Sequence, residues 1–310
     1  MPASVRKIDV SAYDLVISSS SGFAHGVMTT GHTKHICYYH SPARYLWDAT
    51  DEVQTELWVS RDKQGKNILW SIKALVGGFF VRALFHQLRK YDLKASQQPH
   101  LSIANSEEVR KRIQNFYLKD AFVLWPPVDT QRFLGGSLPV SQCTHYVLTS
   151  AMTPFKRVDR VVRVMTKLGI EVKIIGDGKE RQSLEKIAGK NIQFLWRISD
   201  SELVEIYQSA RGFLMPQKED AGIAPLEALA AGIPVFWLAQ GGLLETNIDG
   251  VTGRFYLEDT DQNFEQGFLI FDEEISAGKY DDAVALLKRA QEFDSAHFRE
   301  GFQQIIQKYV

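Results

Sequence analysis

Apolar and polar positions follow two rhythms along the chain, and the second half keeps them most cleanly. Short β-branched and apolar runs there read as strands: HYVLTSA (145–151), EVKIIG (171–176), NIQFLW (191–196), GFLMP (212–216), IPVFWL (233–238) and TGRFY (252–256). Between them the spacing turns helical. Val158, Val161, Val162, Met165 and Leu168 fall on one face, and Gly169 stops the run. Lys179 to Ala188 predicts a second helix, and SDSELVEIYQSA (199–210) a third. That third helix opens with a capping box, Ser199 at the cap and Glu202 three residues on. PLEALAAG (225–232) predicts a fourth. Strand and helix alternate with short joints, so an α/β class with a doubly wound parallel sheet follows, its ligand beyond the carboxyl ends of the strands.

The first half is sparser. DLVIS (14–18), HICYYH (35–40), LSIAN (101–105) and FVLWP (122–126) read as strands. The interval 43–98 predicts two or three helices. WPPVDTQRF and then LGGSLPVSQ (125–142) form a turn-rich joint, which sets the expected domains at 1–140 and 141–310.

A length of 310 residues favours two domains, and 45% apolar content suffices for ordinary cores. A formal charge of −1 gives no whole-chain argument for nucleic acid, so none is expected as a partner. Cys37 and Cys143 stand far apart, make no metal pattern and fit a reducing compartment. Met1 to Val10 is polar and mixed, unlike a signal peptide. The most apolar stretch, Ile68 to Phe85, is broken by Lys73, Gly77, Gly78 and Arg82, too charged for a spanning helix. A cytoplasmic chain is the expectation. From Arg61 to Lys94 eight Lys/Arg face two Asp, interleaved with Trp70, Phe79, Phe80 and Phe85. Two readings stand: a solvated helical face over a core stripe, or a basic amphipathic surface docking on anionic lipid at the inner face of a membrane.

Chemistry concentrates in QKEDAGIAPLEALAAG (217–232). Pro225 suits the first helical position, and Gly222 permits close backbone approach. The free N–H groups of Ile223, Ala224 and the helix start then make an anion site suited to a diphosphate. Glu227 falls in the first helical turn and Glu219 in the loop before it. Both could equally be surface acids that favour a helix N-terminus. Lys156, in TPFKRVD (153–159), follows the first strand of this domain and can neutralise a phosphate, or simply be a solvated lysine. IGDGKE (175–180) brackets a loop with Gly176 and Gly178, by itself a weak signal. His40 ends an apolar strand and either faces a cleft or serves as a satisfied structural histidine.

These segments, together with LVISSSSGFAHGV, HICYYHSPARYLWD, SIANSEEVRKRI, WPPVD, RISDSELVEIYQSARGFLMP and GGLLETNIDGVTG, stand in an order that resembles glycosyltransferase family 4. The likeness covers nearly all of residues 13–258 and is sharpest at the Glu-x7-Glu motif, Glu219 to Glu227. The family comprises retaining, nucleotide-sugar-dependent enzymes of the GT-B fold, with two Rossmann-like domains. The bacterial mannosyltransferase-like branch of cell-surface polysaccharide assembly is the most similar. The resemblance implies a nucleotide-diphosphate sugar as donor, a glycan or lipid-linked acceptor, and neither cofactor nor metal. It implies Glu227 on the ribose, Glu219 on the donor sugar hydroxyls, and the amides of Gly222, Ile223 and Ala224 on sugar and diphosphate. Lys156 would neutralise the leaving diphosphate, His40 would sit by the transferring sugar, and Arg197 and Ile198 would flank the base.

Three positions depart from the family pattern. Ala151 stands where an arginine is common, so Arg157 or another cation must replace it. Trp196 stands where a glycine is usual. The N-terminal domain reads as shortened by roughly three β-α units relative to that pattern, so its flank is expected to be covered by the helical insert, a second copy of the chain or a separate subunit. A nucleotide-sugar-binding subunit without activity is the rival reading. The reading as an NAD-type dehydrogenase fails because this chain has no GxGxxG after its first strand.

Overall fold

The computed structural model describes residues 2–47, 68–134 and 138–309, with the side chains of 2–3 and 68–81 outside that description. The chain forms two units, Met1–Leu124 with Ile305–Val310, and Trp125–Gln304.

The first unit holds four parallel strands, β1 (Leu15–Ser20), β2 (Lys34–Tyr39), β3 (Leu101–Ala104) and β4 (Phe122–Val123), in the order β1-β2-β3-β4. β2 is buried along nearly its whole length, whereas β1 leaves Ile17 50% exposed and lies at the sheet's edge. Among the described residues no strand pairs with the outer side of β1. Among its described residues, the interval 43–98 supplies a helical turn, Arg44–Trp47, and one long helix, α1 (Ile68–Ala95). Residues 61–67, part of the basic stretch, lie outside the described residues, as does the Lys73 side chain. Helix α2 (Glu107–Tyr117) starts where Ser106 accepts a hydrogen bond from the amide of Val109 at 3.1 Å.

The end of α1 is fixed to the sheet by a buried polar cluster. His25 Nε2 meets Asp92 Oδ1 at 3.2 Å, while Trp47 Nε1 and Tyr117 OH donate to Asp92 Oδ2 at 2.7 and 2.8 Å. Asp92 is fully buried, so these partners replace the water it has lost. No helix among the described residues is long and apolar enough to cross a membrane.

The second unit is a six-stranded parallel sheet: β5 (Tyr146–Thr149), β6 (Val172–Ile175), β7 (Ile192–Leu195), β8 (Gly212–Met215), β9 (Val235–Leu238) and β10 (Gly253–Tyr256), ordered β10-β9-β8-β5-β6-β7. Helices α3 (Val158–Leu168), α4 (Arg181–Ile187), α5 (Asp200–Gln208), α6 (Ile223–Ala230), α7 (Asp261–Ser276), α8 (Val284–Gln291) and α9 (Ser295–Tyr309) complete the chain. β8 and β9 are buried at every position, as a sheet covered on both faces requires. Gly169 closes α3 in the left-handed conformation, and Ser199 with Glu202 forms the capping box of α5.

The break at 124/125 falls at the start of the turn-rich joint 125–142 rather than at 140/141. The reason is packing: Trp125 donates to Glu245 at 3.1 Å, and Val128 and Phe133 are buried in the second core, Phe133 against Tyr207. Phe122 instead meets Tyr309, at the far end of α9, with 5.0 Å between ring centroids.

Candidate functional site

β5 pairs with β8 on one side and β6 on the other, so the chain winds away from β5 in both directions. Loops leaving the carboxyl ends of β5 and β8 therefore diverge and open a crevice, the place where such sheets hold ligands. Lys156 comes from the first of these loops and Glu219 from the second. They form an ion pair, Nζ to Oε1, with side chains only 21% and 14% exposed. Gln217, itself buried, donates to the same carboxylate oxygen at 2.9 Å. The pairing joins residues 63 positions apart in the chain.

The loop carrying Glu219 is held by two glycines after β9. The amide of Gly242 donates to the Glu219 carbonyl at 2.9 Å, and Gly241 and Glu219 form an isolated bridge. A Cβ at Gly242 would overlap the carbonyl of Asp220, so only glycine permits this approach.

Helix α6 opens at Gly222, which is left-handed at φ 74 and caps with no side chain. Ile223 and Ala224 take the first two helical positions. Pro225 is third rather than first, and Glu227 fifth, in the second turn rather than the first. The correction leaves the anion site in place, because the amides of Ile223 and Ala224 are among those a helix cannot satisfy internally.

Glu227 is half-buried. Burial raises its pKa above the ordinary carboxylate value, the positive charge of Arg132 opposes the shift, and Asp200 adds to it. Arg132 pairs with Asp200 Oδ1 at 2.8 Å, at the start of α5. No motif singled out Arg132; it comes from the joint, on the short helix Thr130–Phe133 capped by Asp129.

The glycine-bracketed loop packs closely against the loop after β5. Gly176 is at φ 130, and Cβ atoms at Gly176 and Gly178 would overlap the carbonyls of Ser150 and Met152. Met152 donates to the Asp177 carbonyl at 2.9 Å, and Glu180 returns a bond to Met152 at 3.1 Å. Two neighbouring edge loops are thereby laced together. Beyond them, Arg197 is exposed and Ile198 packs against the core.

Arg157 stands apart from the Lys156–Glu219 pair. It is left-handed at φ 52, and its guanidinium pairs with Asp259, after β10, at 3.1 Å. Ala151 is exposed. His40 belongs to the first unit, at the carboxyl end of β2, where Ser19 Oγ and His40 Nε2 share a hydrogen bond of 2.7 Å. Partial desolvation holds it below the ordinary imidazole value. Among the described residues no three His, Cys, Asp or Glu side chains cluster as a metal site would need.

Residues 145–273 match the family described as Glycosyl transferases group 1. An uncharacterized glycosyltransferase of Methanocaldococcus jannaschii is 30% identical over 112 residues, 34% of this chain and 32% of its own length. The GDP-mannose-dependent alpha-(1-6)-phosphatidylinositol monomannoside mannosyltransferase of Mycolicibacterium smegmatis is 30% identical over 160 residues, 41% of each chain. These matches thus span well under two thirds of the relatives' lengths. Among solved structures, Anabaena HepE in complex with UDP covers 96% of this chain and 79% of its own, with a TM-score of 0.71 at 14% identity. Residues 145–273, within the second unit, are thus similar to group 1 glycosyl transferases, and the fold, with its two parallel α/β sheets, is of the GT-B type.

Proposed function

We propose that this chain is a retaining hexosyltransferase that acts without a metal. It moves a sugar, mannose in our reading, from a nucleotide-diphosphate donor to a glycan or lipid-linked acceptor in cell-surface polysaccharide assembly. One observation carries the proposal: Lys156 and Glu219 meet at the switch point of the sheet, in the same loop system as the uncapped amides of α6. A cation, a row of free N–H groups and a sugar-sized carboxylate contact are what a nucleotide-diphosphate sugar requires. The match to the mycobacterial enzyme, whose name specifies GDP-mannose, supports mannose. The UDP complex of the Anabaena protein supports a nucleoside diphosphate as the class of ligand.

In this reading Glu227 holds the ribose, while Gly222, Ile223 and Ala224 hold sugar and diphosphate. Donor entry exchanges partners: Lys156 leaves Glu219 for the diphosphate, and Glu219 turns to the sugar hydroxyls. The bond from the anomeric carbon to the diphosphate oxygen then breaks. Charge grows on the leaving diphosphate, where Lys156 and the amides stabilise it. The acceptor oxygen attacks the same face of the oxocarbenium-like sugar, so configuration is retained. Its proton passes to the departing phosphate. His40, in the first unit, is assigned to the transferring sugar.

A labelled-donor assay on the purified chain tests this, with nucleotide-diphosphate sugars of each base and a lipid-linked acceptor. Transfer with retained configuration is the expected result. Nucleotide binding without product would favour a binding subunit, the reading that Ala151 supports, since Arg157 is engaged with Asp259. Protein sedimenting with anionic vesicles at low salt and released as salt rises would support a peripheral site at the inner membrane face.

A further inference from the structure

The amino end of the first sheet holds a cleft that the transfer chemistry does not use. β3 begins at Leu101, but β4 joins it only from Ile103, opposite Phe122. Ahead of that point the two segments part, and the chain enters β4 through Leu118, left-handed at φ 54. The gap between them has a volume of about 260 Å³. Pockets for whole organic ligands run to roughly 300–1,000 Å³, so this one suits something smaller than a nucleotide sugar. His40 lies at the opposite, carboxyl end of the same parallel sheet.

The walls of the cleft carry hydrogen-bond donors with spare capacity. Ser102 is 3% exposed, and its Oγ has no hydrogen-bond partner among the described residues. Lys119 Nζ donates to the carbonyls of Ser96 and Pro99 at 3.2 and 2.8 Å, which leaves one N–H of the ammonium unused. No carboxylate among the described residues pairs with Lys119, and burial lowers its pKa from the ordinary lysine value. His100 Nδ1 accepts from the amide of His35 at 3.0 Å, so Nε2 carries the ring hydrogen. The other charges on the wall cancel, because Arg110 holds Asp120 through two bonds of 2.8 and 3.0 Å. A shielded hydroxyl and a half-buried ammonium are each costly until an acceptor reaches them.

We propose that this cleft binds a phosphate group, with Lys119 as its counter-ion and Ser102 and His100 as hydrogen-bond donors. Planar carboxylates are gripped by arginine forks, and the arginine here already holds Asp120. An ammonium acting as a point charge suits phosphate. The inference is independent of the proposed function, because none of these residues belongs to the donor site. Calorimetric titration with inorganic phosphate, glycerol phosphate and acetate at fixed ionic strength tests it on the full chain, on Ser102→Ala and on Lys119→Met. Phosphate should bind the wild type, about tenfold more weakly to Ser102→Ala and about a hundredfold more weakly to Lys119→Met, and acetate should bind none of them. Without phosphate, Ser102→Ala should melt at or above the wild-type temperature, since it removes an unsatisfied hydroxyl, and phosphate should raise its melting temperature less than that of the wild type. That comparison keeps the test decisive where Lys119→Met fails to fold. Glycerol phosphate binding more tightly than inorganic phosphate assigns the cleft to a phosphate monoester, and the reverse order assigns it to free phosphate; both support the site. Phosphate bound at Lys156 would survive both substitutions, so an affinity unchanged in Ser102→Ala and Lys119→Met overturns the proposal. Acetate binding as tightly as phosphate, or no phosphate binding to the wild type, overturns it as well.

Discussion

Replacing Lys156 by alanine separates two roles for that side chain. In the ligand-free chain it neutralises Glu219; in the proposed reaction it neutralises the leaving diphosphate. The pair is 21% and 14% exposed, partly screened and short of a dry interior. Removing the lysine leaves the Glu219 carboxylate with the Gln217 amide as its donor, so a stability loss of about 1–3 kcal/mol is expected. The loss of transition-state stabilisation should be larger, about 100- to 1,000-fold in kcat by analogy with removal of one oxyanion donor.

The double substitution Lys156→Ala with Glu219→Gln tells the roles apart. An amide at 219 needs no counter-ion, so the double variant should recover much of the melting temperature lost by Lys156→Ala. It should not recover turnover, because the diphosphate still lacks its cation. Melting curves and single-turnover rates on the wild type, both single variants and the double variant form a complete cycle. If turnover returns along with stability, Lys156 serves only to keep Glu219 in place and the leaving-group role is wrong. Unchanged turnover in Lys156→Ala with the fold intact would refute it more directly.

Glu227→Gln should act in opposite senses on stability and binding. Its pKa is raised in the folded state, so the folded chain holds that proton more tightly than the unfolded chain. The destabilising contribution therefore grows as pH rises from the unfolded carboxyl value through the raised one, and is complete above it. Glu227→Gln should accordingly raise the melting temperature at pH 7 relative to pH 4, while weakening nucleotide binding by about 1–3 kcal/mol through the lost charged hydrogen bond; equal pH profiles for both proteins would contradict the burial argument. Gly242→Ala should lower the melting temperature and, by moving the 219–220 backbone, cut transfer more than a Gly31→Ala control, whose added Cβ meets nothing within 4 Å. Both glycine variants behaving alike in transfer would show that the Gly242 contact does not position Glu219.

Much of the second unit was legible because its local signals agree with its tertiary environment. Strands buried on both faces must be apolar throughout, and the helices between them end at a glycine or begin at a capping box. The joint was harder. Its run of Pro, Asp and Gly reads as linker, yet Val128 and Phe133 within or beside that run are core residues, and burial is a property of what arrives from elsewhere in the chain. Likewise nothing local marks Ile68–Ala95 as one unbroken helix, since its polar and apolar residues segregate only weakly. Pro225 was misplaced by two positions because the left-handed Gly222 lets the helix begin earlier than the proline demands.

Within the candidate site, the split between legible and hidden follows the strand order. Glu219 and Glu227 lie on one continuous segment, so their spacing is visible in a single motif. Lys156 and Glu219 are distant in sequence, and only the insertion of β5 between β6 and β8 makes their loops neighbours. The two glycines after β9 illustrate the same point from the other side. In sequence Gly241-Gly242 is an ordinary turn; in the sheet it is the one backbone shape that lets the loop of β9 touch the loop of β8, because β9 is the next strand along. Arg132 is a third case, since its charge reaches Glu227 only after the joint folds across the start of α5. A search confined to motifs therefore finds the residues that would touch ligand along one segment. It misses those that position them, because the positioning is done by strand adjacency, and adjacency in a doubly wound sheet is set by the direction of winding rather than by distance along the chain.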